Sequence, residues 1–179
     1  MTKVKGHHIK TSFRLYSKSK SDLQSSVFDL ISGDKETKQT KGLAYVFSLY
    51  PDFALKFLEI DTIKNQIEKQ IGRKFNKKDL DKIEVSAEKM TKSKKRADIV
   101  LKINFKQKDS LALIIEAKSI KTGSINDIGA QINFYMQNGE IEDLKDIPRV
   151  GLVLTKYKHN VSNVINLEWS FMVNCLTSA

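Results

Sequence analysis

The spacing of apolar residues changes period along the chain. Residues 1–26 scatter apolar positions among Lys, Ser and His. They read as an N-terminal extension, either irregular or a weakly packed first helix. From residue 27 onward the pattern is regular enough to define one domain, 27–179. Thr40 can cap a helix whose apolar side is Leu43, Ala44, Phe47 and Leu49. Pro51 stops that segment and suits the first turn of the next, which carries Phe53, Leu55, Phe57 and Leu58. Ile63, Ile67 and Ile71 then recur every four residues, with Gly72 as the stop. Residues 73–81 read as a polar connector.

Beyond the connector the period drops to two. Residues 82–90 alternate as a strand, 91–95 (TKSKK) make a basic turn, 97–105 form a second strand and 110–118 a third. The close spacing predicts antiparallel pairing. Residues 125–137 return to helical spacing through Ile128, Ile132 and Tyr135. After Pro148, the almost wholly apolar RVGLVLT (149–155) predicts a buried, central strand, and a segment around Trp169 begins a last helix. The expected class is α/β, a mixed central sheet of about four to five strands flanked by helices.

Composition narrows the partners. Lys and Arg total 31 against 21 Asp and Glu, a net charge of +10, and only four of the cations are Arg. That excess suits a polyanion, since each phosphate contact releases a condensed counterion, although a soluble Lys-rich surface gives the same number. The 40% hydrophobic content argues against a disordered chain. Cys175 is the one cysteine, which excludes an internal disulfide and a Cys-based zinc site. Without a secretory signal or an apolar run near the ~20 residues of a membrane helix, a cytoplasmic location without membrane contact is expected. The adjacent pair His7 and His8 reads as exposed rather than as a metal site.

The chemistry concentrates at the end of the third strand. Five apolar residues, Leu111 to Ile115, lead into Glu116-Ala117-Lys118. Side chains two apart on a strand share a face, so Glu116 and Lys118 project together. Charges at the end of a buried strand require pairing or a metal. Asp98 opens the preceding strand, and a hairpin brings it near Glu116. Two carboxylates beside a lysine suit metal-assisted phosphodiester hydrolysis: the acids hold a hard ion such as Mg²⁺, which polarises the phosphoryl oxygen and acidifies water, and the lysine orients that water or neutralises developing charge. A strand-end ion pair facing solvent is the alternative reading of Glu116 and Lys118.

An acid opening one apolar strand, 17 intervening residues, then apolar-Glu-x-Lys closing the next resembles the PD-(D/E)XK nuclease superfamily, with its restriction-endonuclease-like fold. Asp98 matches the first acid, Glu116 the second and Lys118 the lysine; Ala97 stands where the typical form has Pro. Many such nucleases carry Gln-x-x-x-Tyr on the next helix, and Gln131 and Tyr135 match it on one helical face. The resemblance implies that Asp98, Glu116, Lys118, Gln131 and Tyr135 form the catalytic set. It implies that the Ala117 carbonyl completes the coordination of Mg²⁺, with Mn²⁺ able to substitute. Glu36, in a Glu-x-x-x-Thr segment ahead of the first helix, either faces the metal or stabilises the helix dipole. Related nucleases often run on past this length, which implies a minimal or a truncated form.

Lys94, Lys95 and Arg96 just before Asp98, with Lys121 and Lys156 after strands three and four, are the candidate contacts to nucleic acid; a solvated basic loop is the alternative. The expectation is a Mg²⁺-dependent phosphodiesterase, most simply an endonuclease on double-stranded DNA in defence, restriction or mobile-element biology, and a homodimer would suit paired cuts. The competing class is a non-catalytic nucleic-acid-binding or protein-interaction module on the same fold.

Overall fold

The computed structural model describes residues 9–16, 21–23, 35–118, 125–158 and 160–172. The strands are β1 (Lys10–Tyr16), β2 (Ser21–Leu23), β3 (Leu80–Met90), β4 (Arg96–Phe105), β5 (Ser110–Lys118), β6 (Arg149–Thr155) and β7 (Ile165–Glu168). The longer helices are α1 (Lys35–Leu49), α2 (Pro51–Leu58), α3 (Asp61–Ile71) and α4 (Ile125–Tyr135). The strands form one mixed sheet in the order β2-β1-β3-β4-β5-β6-β7. β3, β4 and β5 run antiparallel to their neighbours in the meander, whereas β1 pairs parallel with β3, β6 with β5 and β7 with β6. The class is therefore α/β with a helix-flanked mixed sheet, as the periodicity implies, but with seven strands among the described residues instead of four or five.

The added strands lie at the sheet's ends. Residues 10–16, expected to be irregular or helical, form β1, because Phe13 and Leu15 pack on the core and the backbone pairs with Lys82–Ala87. β2 and β7 are the edges, three and four residues long, and edges that short limit unwanted pairing.

Two apolar layers hold the helices on the sheet. α1, α2 and α3 pack through Phe47, Phe57, Ile63 and Ile67 onto Ile83, Ile99, Leu113 and Leu152. α4 covers the other face through Ile128, Ile132 and Tyr135, against Val100, Ala112, Ile114 and Val153. β5 is thus covered on both sides, which is why its apolar run shows no alternation. Phe47 meets Phe53 and Phe57 at ring-centroid distances of 5.2 and 4.9 Å, setting how α2 folds back on α1.

Local signals account for most boundaries. Pro51 is the first residue of α2. Gly72 ends α3 at φ 68°, a conformation glycine adopts without a Cβ penalty. Thr40, expected to cap a helix, lies inside α1 and is buried, its hydroxyl donating to the Thr37 carbonyl at 3.0 Å. The helix begins five residues earlier, and Leu49 is exposed rather than on the apolar side. Among the described residues no helix is long and apolar enough to cross a membrane.

Candidate active site

β4 and β5 pair with Ile99 opposite Ile115, so Asp98 and Glu116 come next in the ladder. Asp98 Oδ2 accepts a hydrogen bond from the Ala117 N–H at 2.8 Å, which ties the first acid to the strand carrying the second. Glu116 and Lys118 share a face as their spacing requires, with Lys118 Nζ 2.7 Å from Glu116 Oε1. Glu116 has no accessible surface, while the Lys118 side chain is 18% exposed. The three groups therefore gather at the end of β5, two acids around one lysine.

They sit against an open cleft of about 610 Å³. Asp98 and Lys118 line it, together with Lys94, Lys95, Arg96 and Gln131; Glu116 lies beneath its wall. Burial is the main cause that raises the Asp98 pKa well above the ordinary carboxylate value. The Glu116 charge adds to the rise, and Lys118 and the Ala117 N–H oppose it. Two acids this close, one of them fully buried, cannot both ionise cheaply, and a nearby cation relieves that cost.

α4 lays Gln131 and Tyr135 over the same place. Gln131 Nε2 donates to Tyr135 Oη at 3.0 Å, and that hydroxyl donates to the Arg96 carbonyl at 2.6 Å. Tyr135 is almost wholly buried, and burial pushes its phenol up to about 12, with Glu116 and Asp98 adding to the rise and the Gln131 hydrogen bond opposing it. It stays a neutral donor at any physiological pH. The tyrosine is thus both core and part of the site, and it acts by holding the start of β4.

The basic residues divide. Lys94, at φ 60°, and Lys95 form the β3–β4 turn on the cleft wall. Two contacts hold Lys95: its N–H donates to Thr91 Oγ1 at 3.1 Å, and its ammonium lies 4.2 Å from the centre of the Phe134 ring. Lys156 follows β6 and is exposed; its N–H donates to the Lys118 carbonyl at 3.1 Å and its ammonium lies over Tyr157 at 5.5 Å, and it is not among the residues that line the cleft. Lys121 falls outside the described residues. The backbone of Glu36 is in the first turn of α1, whose Thr37 reaches the cleft; the Glu36 side chain is outside the described residues.

Sequence reasoning passed over Glu88. It is buried, its carboxylate lies 2.7 Å from Arg96 Nη1, and its backbone takes φ 56°, a region that costs a non-glycine residue about 1–2 kcal/mol. The signal was present: counting outward from Ser93 across the antiparallel turn sets Glu88 opposite Asp98. Asp127, also on the cleft, precedes Gln131 by four residues, so one helical face carries Asp127, Gln131 and Tyr135.

The donor types suit a hard divalent ion: carboxylate oxygens of Asp98, on a polar cleft, and of Glu116, buried behind it, disfavoured as a charged pair. Ala117 donates its N–H to Asp98. Among the described residues no group of three or more His, Cys, Asp or Glu is placed to hold a metal, so side-chain ligands from these residues would number two, with water or backbone oxygen completing the shell, as Mg²⁺ commonly accepts. Comparison with family models, with curated proteins and with solved structures found no match to the chain.

Proposed function

We propose that the chain is a divalent-metal-dependent nuclease of restriction-endonuclease-like fold. It hydrolyses phosphodiester bonds, in DNA, within a defence, restriction or mobile-element setting. The observation that carries this reading is the meeting of Asp98, Glu116 and Lys118 at the end of β5, on a cleft whose wall holds Lys94, Lys95 and Arg96. The order helix, three antiparallel strands, helix, parallel strand is also what the resemblance calls for.

Asp98 and Glu116 would hold Mg²⁺, or Mn²⁺ in its place. When bound, the ion polarises the phosphoryl oxygen and offsets the charge that builds on it. Lys118 brings a second positive charge to the reacting phosphate and orients the attacking water through its ammonium protons. Gln131 presents an amide to the same space, and Tyr135 holds it in place. The lysines of the β3–β4 turn bind phosphates flanking the cut, which steers and registers the duplex without reading its bases.

Incubating the purified chain with supercoiled plasmid tests the reading. Nicked or linear product in Mg²⁺ or Mn²⁺, none in EDTA, and a loss of at least about 100-fold in Glu116→Gln and Lys118→Met are expected. Equal cleavage by the wild type and both variants would show that the activity lies elsewhere. The burial of Glu116 and its close pairing with Lys118 favour one second reading, a nuclease-like fold that binds nucleic acid without turnover. Duplex binding with no cleavage in any divalent metal is its signature.

A further inference from the structure

Arg96 is held at both ends. Its carbonyl accepts the hydrogen bond from Tyr135 Oη at 2.6 Å, and its Nη1 lies 2.7 Å from Glu88 Oε2. The Glu88 side chain is only 4% exposed, while that of Arg96 is 42% exposed along the cleft. β3 also turns into the left-handed region at Glu88, at φ 56°, so the strand tolerates strain where this carboxylate is placed. A guanidinium carries five N–H donors in a planar fork. One edge can rest on a carboxylate while another presents paired donors to an anion, which a lysine ammonium cannot do.

We propose that Glu88 is a positioning residue that presets Arg96 as a bidentate anchor for a backbone phosphate. The inference rests on the nuclease reading of the cleft and names the part of the substrate that Arg96 takes. Two effects of Glu88 compete. Its charge repels a polyanion, so on charge alone its removal tightens DNA binding. Its grip on Arg96 removes the ordering cost of a long side chain on association. Lys94 and Lys95 already supply long-range attraction on the same wall, so geometry is what Arg96 adds, and presetting prevails.

Binding of a fluorescently labelled duplex is measured by anisotropy at fixed salt in EDTA, where no cleavage occurs. Glu88→Gln and Arg96→Lys each weaken binding by about threefold to tenfold, although the first raises the net charge and the second leaves it unchanged. The double variant is no weaker than the worse single one, because both act through one contact. With Mg²⁺ present, the loss from Glu88→Gln falls on KM more than on kcat. Equal or tighter binding by Glu88→Gln, or additive losses, overturns the inference. If Glu88→Gln does not fold, Arg96→Lys decides, and undiminished binding overturns it. A wild-type chain that binds no duplex removes the nuclease reading and this inference together; wild-type binding that Glu88→Gln leaves unchanged removes the inference alone.

Discussion

On the proposed nuclease reading, stability and function conflict at Asp98. Its pKa is raised mainly by burial and next by Glu116. A carboxyl whose folded-state pKa exceeds the unfolded value near 3.9 contributes stability below that value, and the contribution is lost as pH rises through the folded pKa. In chelator the chain should therefore melt at lower temperature as pH rises past the ordinary carboxylate range. Asp98→Asn removes the titrating charge while its amide oxygen can still accept from the Ala117 N–H. The variant should melt a few degrees higher than wild type at neutral pH without metal, lose cleavage, and show a flatter melting temperature against pH. A variant that melts lower at neutral pH would mean that Asp98 is already well stabilised as an anion. On the nuclease reading, that is the trade expected of a functional site.

Elements place these residues, and two contacts between elements carry the placement. At Gly151 in β6 an added Cβ would lie 2.9 Å from Val164 Cγ1 and 3.3 Å from Ile132 Cγ1. Gly151→Ala must displace the Val164 side chain and crowd Ile132 of α4, at about 1–3 kcal/mol. Calorimetry should show that loss, and since α4 carries Gln131, cleavage should fall with it. At the other end of the sheet, β1 supplies Tyr16, whose hydroxyl bonds the buried Lys89 ammonium, itself 2.7 Å from Asp143 Oδ2. Deleting residues 1–16 leaves that lysine short of a partner and uncovers the edge of β3. The truncated chain should be aggregated or unfolded by circular dichroism and size-exclusion chromatography; a stable, cleaving truncation would show that β1 is dispensable.

At the scale of the whole molecule the net charge of +10 matters through its distribution. Lys94, Lys95 and Arg96 line the cleft, whereas the Lys156 side chain is outside its lining and rests over Tyr157. Duplex binding should fall linearly in log–log plots against salt, with a slope near −0.9 for each phosphate contacted. Lys94→Gln should reduce that slope by about one, and Lys156→Gln should leave it unchanged. Equal effects of the two substitutions would mean that the charge acts as a diffuse field and not through the cleft.

The sequence by itself determined the period of each main element, since burial on one face leaves a mark every two residues in a strand and every three or four in a helix. It gave away β5 and β6 by their unbroken apolar runs, α2 by Pro51, the end of α3 by Gly72, and the nearness of Asp98 to Glu116 by the short hairpin between their strands. Tertiary structure decided the rest. β1 has too few apolar residues to declare itself, and only pairing with β3 makes it a strand. Thr40 looks like a cap because capping and helix-interior threonines are alike in sequence, differing in which carbonyl or N–H is free. The hairpin count about Ser93 puts Glu88 near the site, but its left-handed backbone and its ion pair with Arg96 follow from the folded turn and not from apolar periodicity. The difference is one of range: periodicity records what a residue does within its own element, whereas the cleft is made where elements distant in the chain come together.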